Sequence, residues 1–571
     1  MERKRKRIIT NIHLRKRKLL RILILILNVA VLSTLIACSS GDDNSANTTE
    51  TKDQPAKTEA SSSSEPVDGD WLIYHLSAEP ATLNPITATD AYEGTVNNGN
   101  IYETLIERNN ETLELEPLLA ESWEISEDKL KYTFKIKEGI KWHDGEPFTS
   151  EDVVFSYKTI MDPKVDSPQL RAYFQEIEDV KAIDDLTVEF TYARPYFLAL
   201  EFCGGMPIVP KHIFDTGDFN TNPAGRAPVG TGPYKFVKWT TGREILLDKN
   251  QDYWGGQPKL NKIVFKIITD NTVAFQVLKR EELDVAGLTP IQWERQTGSP
   301  AFEENFDKLS YFTPNYSYIG WNSKKPFFAD KDVRTALTHL VNRDLILDKI
   351  LYNLGAIVTN PFYINSPEYD KSIKPLDYNP EKAEVLLKKA GWIDHDGDGI
   401  RDKDGIKFAF EFLIPGGSDT GEKIATILKE ELDNMGIQMD IRKTEWAVFT
   451  SRLMERNFDA VTLAWSMGVE SDPYQIWSST QADSGSNFVG FKNKEADRLI
   501  EQARTEFDRE KRKELYRQFS RIVHEEQPYT FLFCRKSTVA VNKRFENVVV
   551  HPLGIDPIEW HVPLPLQVYS E

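Results

Sequence analysis

Three cysteines, nine histidines and no catalytic signature narrow what this 571-residue chain can do. No C-x-x-C and no Cys/His metal spacing occurs, so a zinc module or a dithiol redox motif is excluded. H-E-x-x-H, G-x-S-x-G and G-x-x-x-x-G-K-[ST] are all missing, which removes the common metalloprotease, hydrolase and P-loop chemistries. His143-Asp144 could suggest an acid/base pair, but adjacent residues in a tight turn seldom meet over a substrate. Positive charge is scarce beyond the start. Residues 1–37 hold 10 of the 70 Lys+Arg and 1 of the 88 Asp+Glu, leaving 60 basic and 87 acidic residues and a formal net charge of -27. A body that acidic cannot neutralise phosphates, so no nucleic-acid partner is expected. With 40% hydrophobic residues and 11% aromatics it is nonetheless a globular protein, long enough for two or three domains.

What is present begins with an address. Arg3 to Arg7, Arg15 to Lys18 and Arg21 form a basic run, and Ile22 to Ala37 is 16 residues without a formal charge. That is a charged n-region followed by an apolar h-region, short for a membrane-spanning helix. It ends Leu35-Ile36-Ala37-Cys38, which resembles a bacterial lipobox, although Ile36 is a less typical choice. Residues 1–37 are therefore read as a lipoprotein signal peptide and Cys38 as the lipid-attachment site, with an uncleaved N-terminal anchor as the alternative. Either places the body extracytoplasmically, on the outer face of the cell membrane or in the periplasm. Residues 38–70, rich in Ser, Thr, Asp and Glu, read as a disordered tether, and the folded body starts near Trp71. Cys203 and Cys534 are expected to be buried free thiols, although an oxidising compartment would permit pairing.

Tyr132 to Ser156 shows how the body is written. Tyr132, Phe134 and Ile136 alternate with polar residues, Glu138-Gly139 turns the chain, Ile140-Lys141-Trp142 resumes a strand, and Asp144-Gly145 turns it again. Thr149-Ser150-Glu151-Asp152 then caps a helix. Helical character is expected over Glu93 to Leu105, Thr272 to Arg280, Asp332 to Asn342, Pro380 to Ala390, Glu422 to Met435, Lys494 to Thr505 and Arg509 to Glu525. Strands are expected at Trp71, Ile263 to Ile268, Asn315 to Asn322, Phe408 to Ile414, Ala460 to Trp465 and Tyr529 to Phe533. Strands and helices alternate without repeats, so the class is α/β in more than one lobe. The G-x-G of Gly230 to Gly232 is not a nucleotide loop, because a proline follows where a helix would begin.

One loop carries metal-ligand spacing. Asp394, Asp396 and Asp398 occupy positions 1, 3 and 5, Gly399 position 6, the Ile400 carbonyl position 7 and Asp402 position 9 of an EF-hand-like pattern. Gly405 replaces the bidentate Glu at position 12. The two readings are a weak, structural calcium site and a polar Asp/Gly turn; no catalytic cofactor is indicated.

Several motifs in order carry a resemblance: AESW (120–123), YTFKIKEGIKWHDGEPFTSEDVVFS (132–156), VGTGPYKFVKW (229–239), DYWGGQPKLNKIVF (252–265), KDVRTALTHLVNRDLI (331–346), YNPEKAEVLLKKAGW (378–392) and EEQPYTFLF (525–533). Together they resemble the family 5 extracytoplasmic solute-binding proteins of ABC importers, the dipeptide- and oligopeptide-binding type, across the whole folded body. The resemblance implies a two-lobed, periplasmic-binding-protein-like α/β fold of the three-domain cluster C type, with a ligand cleft between lobes. Its domains would be 71–103 with 225–310 and 540–571, an inserted domain at 104–224, and lobe two at 311–539. It implies a non-enzymatic, monomeric receptor that captures peptides, closes by hinge motion and delivers them to permease subunits. An oligosaccharide or other small solute is the alternative ligand, and an extracellular hydrolase or chaperone the alternative class. In the peptide-binding relatives an Asp after the Trp of the cleft loop binds the ligand's α-amino group. Here the aligned position is Gly468 or Val469, neither acidic, and Glu470 is the residue that could replace it. By the same resemblance Trp465, Ser466, Met467, Glu470 and Asp472 line the cleft from lobe two and Thr89, Asp90 and Tyr92 from lobe one, with Asn487 and Phe533 as further contacts.

Overall fold

The computed structural model describes residues 67–569 except Thr89. The signal peptide, Cys38 and nearly all of the tether lie outside the described residues. Among the described residues no helix is long and apolar enough to cross a membrane.

Three sheets organise the body. The first is eight-stranded: Phe306–Phe312, Phe533–Asn542, Val285–Gly287, Trp71–Leu76, Lys262–Ile267, Glu244–Lys249 and Tyr234–Thr240 lie in that order, and Gly355–Ile357 adds to Phe533–Asn542. The second is five-stranded, ordered Gln438–Thr444, Ala409–Pro415, Ala460–Ser466, Asn315–Trp321 and Tyr529–Phe531. The third is four-stranded and antiparallel, ordered Ala120–Ile125, Lys131–Ile136, Thr187–Tyr192 and Ile177–Asp184. Its alternation is the one read from sequence: Tyr132, Phe134 and Ile136 are buried, and Phe134 meets Phe190 edge-on at 5.8 Å.

Two expectations change. Ile140 to Trp142 is not a strand but only a bridge from Lys141 to Pro147. Trp142 N bonds Glu146 O and Phe148 N bonds Ile140 O, so the Asp144-Gly145 turn closes on itself before a partner strand can add. The helix expected from Glu93 to Leu105 is Ala91–Asn97, because Asn98-Gly99, with Gly99 at φ +70, ends it. The helix Ser150–Met161 forms as written, and Asp152 accepts the Thr149 amide at 2.9 Å.

Two short strand-to-strand crossings join the large sheets. Phe306–Phe312 passes through Thr313-Pro314 into Asn315–Trp321, and Tyr529–Phe531 passes through Leu532 into Phe533–Asn542. The segments run side by side: Arg535 N donates to Asn315 Oδ1 at 3.2 Å, and Asn315 Nδ2 returns a bond to Arg535 O at 3.3 Å. The limits expected at 310 and 540 fall inside strands, since this ribbon is continuous. Cys534 lies within it and Cys203 in the core; both are free and buried, and burial pushes the Cys534 thiol up to about 11.

The ribbon fixes which sheet edges face each other. Ala409–Pro415 is parallel to Gln438–Thr444 and to Ala460–Ser466, and Ser466 pairs with Asn315 at the crossing. In the eight-stranded sheet Trp71–Leu76 runs parallel to Val285–Gly287 and in the sense of Phe306–Phe312. Both sheets therefore present strand carboxyl ends to the hinge, where ligands of open α/β sheets gather.

Candidate functional site

The loops leaving those edges hold most of the residues read from sequence. Trp465 is half-buried, with its ring stacked on Phe488 at 5.8 Å and its Nε1 donating to Tyr529 Oη at 3.3 Å. Ser466 is exposed, and Met467 donates its amide to Pro314 O in the ribbon. From the opposite lobe, Asp90 caps Ala91–Asn97 by accepting the Tyr92 and Glu93 amides at 3.0 Å, and Tyr92 Oη accepts from Ser77. Thr89 lies outside the described residues. Asn487 and Phe533 are placed differently. Asn487 is fully buried with both ends of its amide bonded to backbone at Ser478 and Phe491, and Phe533 is fully buried in the core of lobe two. Neither offers a surface to a ligand.

Glu470 and Asp472 take distinct positions. Glu470 pairs with Arg512 at 3.1 Å and with Arg509 at 3.4 Å. It faces a cavity of about 510 Å³ whose walls come from both lobes: Arg108, Trp123 and Glu201 on one side, Ser366, Val469 and Arg509 on the other. Asp472 is buried and ties the lobes together. It accepts from Arg504 Nε at 2.9 Å, from Tyr474 N at 3.0 Å and from Tyr196 Oη at 3.1 Å. Burial raises its pKa, and Arg504 opposes that.

Tyr196 belongs to a segment that reaches lobe two at several points. Phe197 N donates to Arg504 O at 2.9 Å, Arg194 pairs with Glu501 at 2.9 Å, and the Arg512 guanidinium lies 4.2 Å from the Phe197 ring. Arg512 thus touches both the cavity's Glu470 and the partner lobe. Sequence reading missed Arg504 and Arg512, yet a signal existed. Arg504 continues the buried stripe Ala496-Ile500 at i+4 spacing, and Arg512 precedes Tyr516 and Ser520 in the same way. A charge on an apolar stripe needs a buried partner.

The Asp-rich loop lies in lobe two and is a separate feature. Carboxylate oxygens of Asp394, Asp396 and Asp398 come within 4.8 Å of one another. Lys407 Nζ sits among them, 2.7 Å from Asp396, 2.9 Å from Asp398 and 3.8 Å from Asp402. Asp394 accepts the Gly397 and Gly399 amides, Ile400 donates its amide to Asp398, and Asp402 is turned to His395 at 2.9 Å.

The recurring motifs are mostly architectural. Glu103 accepts from Tyr253 at 2.6 Å, Thr231 at 2.8 Å and Trp254 at 3.1 Å, which binds DYWGG and VGTGP into one buried knot. A Cβ on Gly230 would lie 1.7 Å from Ile101 O, so glycine there permits close backbone approach. His143 accepts the Gly230 amide and bonds Gly232 O at 2.9 Å, and burial lowers its pKa to about 4. Asp144 instead pairs with His212.

Two lobes on a two-strand ribbon, with a cavity between them, are the architecture of a solute receptor. The chain belongs to the bacterial extracellular solute-binding proteins, family 5, whose model matches residues 114–487. It is 32% identical over 507 residues to the oligopeptide-binding protein AppA of Bacillus subtilis, covering 86% of this chain and 91% of that one. It is 27% identical to heme-binding protein A of Haemophilus influenzae, covering 92% and 96%. The structure of AppA in complex with a nonapeptide matches with a TM-score of 0.79 at 30% identity, over 87% of this chain and all of the other.

Proposed function

We propose that this chain is a lipid-anchored peptide receptor of an ABC importer. It captures di- or oligopeptides outside the cytoplasm, closes about the 313–314 and 532 crossings and presents them to permease subunits as a monomer. The observation that carries this reading is the cavity of about 510 Å³ built jointly by lobe-one and lobe-two side chains. The likeness to an oligopeptide-binding relative and to a nonapeptide complex supports a peptide as its occupant. Glu470, Val469, Ser366 and Arg509 line that cavity from lobe two and Arg108, Trp123 and Glu201 from lobe one; Trp465, Ser466 and Met467 on the neighbouring strand-end loop, and Asp90 and Tyr92 on the lobe-one loop, are the further ligand contacts of this reading. Asp472 holds the lobes shut. Domain one joins 71–103 to 225–312 and 536–571, the inserted domain is 104–224, and lobe two is the remainder. Cys38 carries the lipid, and the residues between it and Asp68 tether it, because Asp68 to Asp70 are bonded into lobe one.

Mass spectrometry of solutes released from the natively purified protein tests this. A ladder of peptide masses is the expected result; sugars alone, or heme, would replace the peptide reading. Calcium at Asp394, Asp396, Asp398, Ile400 and Asp402 is the accompanying structural proposal. Entry of the ion must displace Lys407, so affinity is weak, and calorimetry with no heat would remove the site.

A further inference from the structure

We infer that this receptor does not read a free ligand amino terminus: its cleft takes peptides with a blocked α-amino group as readily as free ones. The inference rests on the peptide reading above. A free peptide carries an α-ammonium with a pKa of about 8. Enclosing that charge between lobes is costly unless a carboxylate receives it.

No carboxylate that lines the cavity is both shielded from solvent and unpaired. Asp472 is held by Arg504, Tyr196 and the Tyr474 amide. Glu470 lies between Arg509 and Arg512. Across the cavity Glu201 is paired with Arg108 at 2.5 Å. On the lobe-one loop Asp90 caps its helix, and Glu93 is buried and bonded to Asn97. Glu368 is only 3% exposed and does not line the cavity; burial, then the neighbouring Glu470, raises its pKa toward the neutral acid. Glu114, which does line the cavity, is solvent-exposed, where an ion pair gains little. Arg108 and Arg509 line the cavity as the partners of Glu201 and Glu470, with Arg512 just behind Glu470, so these pairs leave no net negative charge for an ammonium.

A competition decides the matter. The purified protein, stripped of solute, is offered equal amounts of one random octapeptide pool in free and Nα-acetylated form, and captured peptides are counted by mass spectrometry. The inference predicts recovery of the two forms within about threefold, less than 1 kcal/mol of discrimination. Preference for the free form by about tenfold or more would overturn it. Capture of neither pool would overturn the peptide reading and this inference with it. Val469→Asp adds an unpaired carboxylate to the cavity wall and should shift recovery toward the free pool by at least about fivefold. A folded Val469→Asp protein with no shift would show that carboxylate supply does not set the preference.

Discussion

Arg544 and Arg504 are both buried guanidiniums set against buried carboxylates, one inside a lobe and one where the lobes meet. Arg544 bonds Asp284 through two nitrogens at 2.9 and 2.8 Å, and also Asp70, whose carboxylate accepts the Val568 and Tyr569 amides. It fastens the first strand of the folded body to the chain's last described residues. Arg504 orients Asp472, and Asp472 then accepts from Tyr196 of the other lobe. The chemistry is the same, but the first cluster is present whenever lobe one is folded, whereas the second is complete only when the lobes touch. A buried ion pair within a lobe contributes to that lobe's stability, whereas one at the seam contributes only where the lobes are in contact.

The largest expected effect falls on the first cluster. Arg544→Met leaves Asp70 and Asp284 buried without a counter-charge, and denaturant unfolding should show a loss of about 3–5 kcal/mol. Peptide affinity of the folded fraction should stay the same; a matching loss of affinity would erase the distinction. Next is a pH effect inside lobe one. His143 is held neutral, with its pKa lowered to about 4 from 6.5. Its folded pKa is below its unfolded one, so its contribution is complete above pH 6.5 and is lost as pH falls toward 4. Relative to His143→Asn, the wild type should lose up to about 3 kcal/mol across that window, read from melts at each pH.

Tyr196→Phe addresses the interlobe cluster alone, removing one hydrogen bond to a charged group. Peptide binding by calorimetry should weaken by about 1.5 kcal/mol, or roughly tenfold, with little change in melting temperature. Weaker stability at unchanged affinity would assign Tyr196 to packing. The smallest effect is expected from Arg194→Ala, since the side chains of Arg194 and Glu501 are 39% and 42% exposed. Affinity should fall by less than about 1 kcal/mol, and salt should reduce even that.

Much of the fold was legible because it follows local rules. Strand alternation at Lys131–Ile136, the cap before Ser150 and the Pro380–Lys389 helix are set by residues close in sequence. Legibility failed where a turn closed early, at Ile140 to Trp142, and where an Asn-Gly pair ended a helix. The site was legible only by loop. Trp465, Ser466 and Glu470 could be read as candidates, but the partners that set their surroundings are distant in the chain: Glu470 meets Arg512 and Asp472 meets Tyr196 only after folding. The motifs that reveal the family, such as VGTGPYKF and DYWGG, enclose Glu103 and His143 in lobe one, so their regularity reports architecture and not ligand.

The central claim is that solute binding completes contacts between the lobes. Small-angle X-ray scattering on solute-stripped protein, before and after a peptide shown by calorimetry to bind, tests it most directly. A smaller radius of gyration with peptide, and a weaker contraction in Tyr196→Phe at equal peptide concentration, are the predicted results. An unchanged radius at saturating peptide would contradict the account.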